Sequence, residues 1–192
     1  LQRLRANPAV VEEISQILAV TTETINHIPG RTFKSLGLST HTHYRREEAL
    51  AAIRFADLTR SAKGQAGGVT WSPDGKIAAL FVNFHKSEGE FTPSTMYRDF
   101  PISRDIFHWE SPNNTSVDSP IGQRYIQQRE TGRSVLLFVR DRPTGPLGAN
   151  PFLFLGPVDY VSHEGERPIA ITWRLRRPMP ADTFASGSVV AS

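Results

Sequence analysis

The chain has 192 residues, no cysteine and a formal net charge of +3. The absence of cysteine excludes disulfides, thiolate nucleophiles and cysteine-ligated zinc or iron–sulfur sites, so any metal would need histidine and carboxylate ligands. The length suits one domain with a small helical preface. The mild basic excess favours an acidic partner, although ordinary solvated charge explains it equally well.

Residues 1–43 are predicted to form a helical preface or linker. Asn7 and Pro8 are typical of an N-cap and a first-turn proline, and apolar residues then recur at helical spacing until Pro29 and Gly30. The first residues lack the pattern of a secretory signal, and no window approaches the ~20 apolar residues of a membrane span. We therefore expect a cytoplasmic protein with no membrane partner.

Residues 44–180 are predicted to form a β-rich domain that begins with a helix from Arg45 to about Phe55. The turn sequence Ser72-Pro73-Asp74-Gly75 predicts a hairpin between Val69–Trp71 and Ile77–Phe84. Further strands are predicted where β-branched and aromatic residues concentrate, and these are Met96–Ile102, Ile106–Glu110, Val135–Arg140, Phe152–Val161 and Ile169–Leu175.

A second helix is predicted from Pro120 to Thr131, closed by Gly132, and residues 181–192 are predicted to be a flexible tail. The order of elements is not βαβ. It predicts an α+β fold that is mostly antiparallel and barrel-like, with flanking helices.

Polar, basic and aromatic residues concentrate between Asn83 and Tyr125, where a barrel would have its rim. Lys86 and Ser87 directly follow an apolar strand and, with Arg98 and Arg124, are predicted to bind phosphate. Simple surface charge at a hairpin end is the alternative for Lys86.

The aromatic residues Tyr97 and Trp109 are candidates for stacking on a base. An aromatic residue in a strand more often belongs to the core, which is the interpretation we favour for Phe100 and Phe107.

Hydroxyl and amide groups concentrate before the predicted helix at Pro120, where backbone N–H groups favour an anion. Ser111, Thr115 and Ser116, together with His163, are predicted to supply hydrogen bonds to a ligand. Plain helix capping would select the same residue types.

The common catalytic signatures are missing from the sequence. HExxH, GxSxG, the Walker motif and GxGxxG do not occur, so we predict no catalytic residue, no metal and no cofactor. A nuclease is an alternative in which carboxylates hold Mg²⁺, with Glu88, Asp99, Asp105 and Glu110 as the candidates. No lysine follows Glu110 as such sites usually require.

Several segments together resemble a known family: NFHKSEGEFTPSTMYRDFPIS, IFHWES, SPIGQRYI, LLFVRD, FLGPVDYVSHEG and RPIAITWRL. They are similar to the uncharacterised C-terminal domain of bacterial DEAD/DEAH-box helicases that also carry a phospholipase-D-like nuclease domain. The resemblance implies a restriction or defence context, with helicase and nuclease domains in the same longer chain. Arg45 departs from the serine that the resemblance leads us to expect at the helix cap.

A β-rich body with such a rim is also similar in plan to the SRA and PUA-like readers of modified bases, an analogy at the level of fold. It implies a base flipped into a pocket and stacked between aromatic rings. We therefore predict a non-catalytic DNA-binding domain that reads a modified base. The alternatives are a protein-interaction domain that docks on the helicase core, and the metal-dependent nuclease.

Overall fold

The computed structural model describes residues 7–27, 36–56, 67–85, 99–145 and 148–188. The chain divides into two compact units, Leu1–Arg31 and Thr32–Ser192. The first contains helix α1, Pro8–His27, which confirms the helix predicted for the preface. Its residues Val10, Val11, Ile14 and Ile17 are exposed. Within the described part of the chain, no helix is both long enough and apolar enough for a membrane span.

The second unit has one large sheet and, in the described segments, three helices. The helices are α2 (Arg46–Ala52), α3 (Pro120–Ile126) and α4 (Ala181–Ser188). The strands of the large sheet are β1 (His43–Tyr44), β2 (Val69–Trp71), β3 (Ile77–Asn83), β4 (Phe100–Pro101), β5 (Ile106–Glu110), β6 (Ser134–Arg140), β9 (Phe152–Glu164) and β10 (Ala170–Leu175). A separate small hairpin is formed by β7 (Thr144–Gly145) and β8 (Gly148–Ala149).

The strand order of the large sheet is β2-β3-β6-β9-β10-β5-β4, with β1 added on β9. Strands β3 and β6 are parallel, in the register Ile77↔Ser134 to Asn83↔Arg140, and the other pairs are antiparallel. The prediction of a closed, barrel-like sheet is wrong. The short strands β2 and β4 lie at opposite ends of the order and do not pair with each other among the described residues, so the sheet stays open.

Strand β9 joins the two halves of the sheet because it is long enough to pair with β6 first and β10 afterwards. Its register with β6 shifts between Leu137 and Phe138, opposite Gly156. Gly156 has φ +101°, and a Cβ there would lie 3.1 Å from the Thr40 hydroxyl. Only glycine adopts this backbone without strain, so Gly156 permits the irregularity that bends the strand.

Each face of the sheet carries its own core, which is why the central strands β3 and β6 are buried on both sides. On one face Ala49 and Leu50 of α2, with Ile53 at its C-cap, pack on phenylalanines of β3, β6 and β9. On the other, residues of β3 and β6 share a cluster with Phe107, Trp109 and Trp173 from β5 and β10. Residues from both halves of the sheet therefore contribute to this second cluster.

Several local predictions are confirmed and others are corrected. The β2–β3 hairpin forms with its predicted turn, and Gly75 has φ +67°. Helix α3 ends at Ile126, earlier than predicted. Residues 181–188, predicted as a loose tail, form α4 instead, because the close contact of Gly187 with Pro101 seats the helix against β4.

The predicted boundary between preface and domain also falls differently. Leu38 is fully buried in the core beside α2, so the residues just before β1 pack within the second unit. Part of the predicted strand Met96–Ile102 lies outside the described residues, and its described part is β4.

Candidate nucleic-acid interface

Four of the predicted contact residues, Lys86, Ser87, Tyr97 and Arg98, lie outside the described residues. Their roles in binding phosphate and in stacking stay predictions.

Trp109 lies in the core and is only 3% exposed. Its ring packs 5.2 Å from that of Tyr125 and 6.4 Å from that of Trp173 between centroids. Burial raises the pKa of the Tyr125 hydroxyl, as a dry surrounding requires. Trp109 therefore has no free face for a base, and the core interpretation replaces stacking for this residue.

The hydroxyl-rich segment before α3 is engaged in internal hydrogen bonds. Buried Ser111 accepts the Ile169 N–H at 2.9 Å, and the N–H of buried Thr115 donates to the Pro112 carbonyl at 2.8 Å. Ser119 caps α3, since its hydroxyl accepts the Gly122 N–H at 3.0 Å and donates to the Ser116 carbonyl at 2.6 Å. These contacts match the capping alternative that the sequence left open.

His163 lies on the outer part of β9, half-buried, with its Nδ1 2.6 Å from the Tyr160 hydroxyl. Tyr160 packs edge-on against Trp173, and burial raises the pKa of its hydroxyl. His163 is thus held on the sheet surface by a partner that is anchored in the core.

Arg124 projects from α3 towards the turn of the β2–β3 hairpin. Its guanidinium carbon lies 5.4 Å from the centre of the Trp71 ring, and a Cβ on Gly75 would be 3.3 Å from its Nη1. Arg124 therefore lies where β3 begins, whereas Lys86 and Ser87 follow the residues where β3 ends. Asn83 and Arg124, both in the described part of the predicted rim, therefore lie towards opposite ends of β3.

An open groove lies at the end where β3 and β6 finish. We call it the Arg140 groove; it has a volume of about 480 Å³ and is lined by Arg45, Arg46, Glu47, Arg140, Ala149, Asn150 and Phe152. The Nε of Arg140 donates to the Asn83 side-chain oxygen at 2.6 Å, and its Nη1 donates to the Asn150 carbonyl at 2.9 Å. Its guanidinium carbon lies 4.1 Å from the centre of the Phe152 ring, so the group is fixed in position.

Arg46 reaches the same groove from the start of α2. Its guanidinium carbon lies 4.1 Å from the centre of the Phe81 ring, and its Nη2 donates to the Gly67 carbonyl. Its Nε is buried without a hydrogen-bond partner among the described residues. Burial, and next the positive charge of Arg140, lower the Arg46 pKa to about 10. The positive charge of Arg140 thus disfavours the charged form of Arg46, while the Glu47 carboxylate, which also lines the groove, favours it.

A pocket of about 370 Å³, which we call the strand-end pocket, adjoins the groove and shares Arg140 and Asn150 with it. Phe84, Val139 and Leu153 line its apolar part. Its polar lining consists of His43, Asp141, Asp182, Thr183 and Ser186, in addition to the two shared residues.

Asp141 accepts hydrogen bonds from two side chains at this pocket. Its Oδ1 lies 2.6 Å from the Ser186 hydroxyl and 2.8 Å from the His85 Nδ1. These bonds, that of Ser186 first, lower the pKa of the Asp141 carboxyl. Serine and histidine both contact the carboxylate, so the arrangement differs from a catalytic triad, in which histidine bridges serine and aspartate.

The carboxylates of the nuclease alternative do not assemble into a metal site within the described ranges, where no group of three His, Asp or Glu residues has a suitable arrangement. Asp99 instead accepts the Glu110 N–H at 3.1 Å, and Asp105 accepts the Ser103 hydroxyl at 2.8 Å. Glu88 lies outside the described residues.

Arg46 and Arg140 are 94 positions apart in the sequence, and only the sheet and α2 bring them together, so their pairing was not predicted. A usable signal was present at Arg140, where an arginine ends a strongly apolar strand and Asp141 follows. Nothing comparable marks Arg46 within its charged neighbours.

Comparison with known proteins gives one family match and two similar solved structures. One family model, described as "Domain of unknown function (DUF3427)", matches residues 38–186. The chain is similar to the DNA recognition domain of the cytosine modification-dependent restriction endonuclease LpnPI, with 16% identity and a TM-score of 0.38 over 60% of this chain and 63% of that one. It is also similar to the DNA modification-dependent restriction endonuclease AspBHI, with 15% identity and a TM-score of 0.39 over 81% of this chain and 86% of that one. A search of curated proteins found no match.

Proposed function

The chain belongs to the DUF3427 family, and from that premise we propose that its β-rich unit is a non-catalytic DNA-binding domain whose phosphate site is the Arg140 groove. The observation that supports the proposal most is the placement of Arg46 and Arg140 in one open groove, each against an aromatic ring.

A phosphate in this groove would relieve an unfavourable arrangement of charge. The lowered pKa of Arg46 reflects partial desolvation and the nearby charge of Arg140. An anion between them reverses the second effect. Guanidinium groups match phosphate oxygens in geometry, and phosphate contacts supply most of the sequence-independent affinity for DNA.

The adjoining strand-end pocket suits a flipped base, and we propose that it reads a modified one. Its apolar part offers surface to a flat ring, while Asp141, Asn150 and Ser186 offer acceptors and donors to the ring's polar edge. Enzymes and readers that extrude a base hold it through these two kinds of contact. Because pocket and groove share Arg140, a base in the pocket would have its own phosphate beside the groove.

Six of the residues predicted from sequence keep a place in this proposal. Lys86 and Ser87 follow His85, whose side chain bonds to Asp141, so they continue the chain from the pocket's border. We propose Lys86, Ser87, Arg98 and Arg124 as phosphate contacts, Tyr97 as a stacking residue, and His163 as a polar contact. Helicase and nuclease domains in a longer cytoplasmic chain, which would carry the catalysis, belong to the same proposal.

The test is a titration of the protein with plain and cytosine-modified duplexes of equal sequence at two salt concentrations. We expect binding that weakens with salt, and tighter binding of the modified duplex. Arg46→Met should weaken both complexes, whereas the control Arg174→Met removes an exposed charge from β10 and should have little effect. Absence of salt-dependent binding to either duplex would contradict the proposal, and co-purification with a helicase core without DNA affinity would favour the docking alternative.

A further inference from the structure

A second cationic surface lies at the opposite end of the β3–β6 pair, where both strands begin. We call it the hairpin-end cleft; it has a volume of about 370 Å³ and is lined by Gln128, Arg129, Gly132, Arg133, Ser134, Asp159 and Arg176. Its side towards the β2–β3 turn is bounded by Arg133, whose Nε donates to the Gly75 carbonyl at 3.2 Å. Arg124 approaches the same Gly75 from α3, since a Cβ on this glycine would lie 3.3 Å from the Arg124 Nη1.

Positive charge exceeds negative charge in the cleft. Arg176 binds Asp159 through two hydrogen bonds of 2.9 and 3.1 Å, and this partner raises the Arg176 pKa. Arg129 lies 3.9 Å from the same carboxylate with 65% of its side chain exposed. One carboxylate thus serves two arginines, and Arg133 adds a third guanidinium. The lining therefore carries a net positive charge, which attracts anions.

The cleft is held by buried contacts, so its shape does not depend on surface side chains alone. Gln128 is 2% exposed, and its amide donates to the Val158 carbonyl at 2.7 Å and accepts the Tyr160 N–H at 3.0 Å. The Arg133 N–H donates to the Gln128 carbonyl at 2.9 Å. These three hydrogen bonds of Gln128 hold the segment that carries Arg129 and Arg133 against β9, the strand that carries Asp159.

We propose that the hairpin-end cleft binds a second phosphodiester of the same nucleic acid, with Arg129 and Arg133 as its ligands and Arg124 beside them. The proposal rests on the proposed DNA-binding function. The seven residues of β6 separate this cleft from the Arg140 groove, which corresponds to roughly 20 Å of extended strand. A nucleic acid, whose phosphates repeat along its backbone, binds both sites at the same time, whereas one free phosphate ion occupies a single site.

The test measures how the affinity of the whole chain for a plain duplex depends on salt. The slope of log K against log salt falls by about 0.9 for each phosphate contact that is lost. For Arg129→Gln combined with Arg133→Gln we expect a shallower slope by about one to two such contacts, equal for plain and modified duplexes. Arg129→Gln alone changes an exposed side chain, keeps the fold, and should lower the slope by about one contact.

The matched control is Arg142→Gln, which removes an equally exposed arginine, 3.8 Å from Asp141, at the other end of β6. In this variant, the contribution of Arg129 and Arg133 to the salt slope should be the same as in the parent protein. An unchanged slope in Arg129→Gln, with strong binding of the parent protein, would overturn the cleft and leave the proposed function standing. Failure of the parent protein to bind DNA would overturn both. If Arg129→Gln loses binding to an acidic peptide while its salt slope for DNA is unchanged, the ligand of the cleft is a protein and not a phosphodiester.

Discussion

Arg46 and Arg140 are linked through two aromatic rings in contact with each other. Arg46 lies over Phe81 and Arg140 over Phe152, both at 4.1 Å, and these rings meet edge to face with centroids 5.1 Å apart. The two rings support both guanidinium groups at one groove and exclude water from the ring side, where it would screen their charges. The sheet and α2 therefore hold both guanidinium groups at the groove that we propose as the phosphate site.

The first prediction concerns the effect of an anion on stability. Inorganic phosphate should raise the melting temperature of the parent protein, because a ligand of the folded state shifts the unfolding equilibrium. In Arg46→Met this rise should be smaller. In the absence of phosphate, the free energy of unfolding of this variant should be lower than that of the parent by no more than about 1 kcal/mol, because the substitution removes a charge that folding disfavours. Thermal unfolding across a phosphate series measures both effects. An equal rise in parent and variant would contradict the role of Arg46.

The second prediction separates core packing from base stacking at Trp109. Trp109→Ala should destabilise the fold by about 3–5 kcal/mol, as removal of a large buried ring does. Trp109→Leu keeps apolar volume without a ring, so it should cost less and leave DNA affinity within about twofold once folded protein is counted. Denaturant unfolding and DNA titration give the two quantities. A well-folded leucine variant with affinity lowered at least tenfold would restore the stacking role, since one stacked base is worth ~1–3 kcal/mol.

The third prediction concerns the approach of α3 to the preceding loop. A Cβ on Gly122 would lie 2.1 Å from the Ser116 carbonyl oxygen and 3.0 Å from the Ile169 side chain. We expect Gly122→Ala to cost about 2–4 kcal/mol, since backbone must shift to make room. Gly67→Ala is the control, because its nearest atom is 3.9 Å away. Equal stability of the two variants by urea unfolding would show that the loop moves freely.

The fourth prediction concerns acid stability and Ser186. The folded state lowers the pKa of Asp141, so its stabilising contribution is complete above the usual value of 3.8 and is lost as pH falls through the lowered value. Ser186→Ala removes the leading cause, so its melting temperature should lie below that of the parent at neutral pH and converge with it as pH falls through the lowered pKa of Asp141. Ser188→Ala is the control, since that hydroxyl bonds to the Phe184 carbonyl. A pH-independent difference would argue against the carboxylate as the partner that matters.

The fifth prediction concerns the buried hydrogen bonds of Gln128 beneath the hairpin-end cleft. Gln128→Leu leaves the Val158 carbonyl and the Tyr160 N–H without their partner, and should cost on the order of 2–4 kcal/mol. The neighbouring Gln127 is exposed, so Gln127→Leu should change stability by less than about 0.5 kcal/mol. Hydrogen exchange at the Tyr160 amide should quicken only in the first variant.

Prediction from sequence succeeded where the signal is local. The turn Ser72–Gly75 dictates its own backbone, so the hairpin was found with its correct strands. Helix capping, the alternative left open for the hydroxyl groups before α3, is what the Ser119 hydroxyl does, and this is also a local interaction. Trp109 was ambiguous because its type and strand position fit both core and surface, and only the packing of Tyr125 and Trp173 decides between them.

The sequence by itself determined the β-rich character of the chain, its main strands, and the absence of any cysteine chemistry, since each follows from residue type and short-range pattern. The tertiary structure alone decided that the sheet stays open, that Arg124 and the end of β3 lie at different ends, and that Arg46 meets Arg140. These relationships depend on which strands pair and in what register. Pairing brings together residues far apart in the chain through backbone hydrogen bonds, which every residue except proline makes alike.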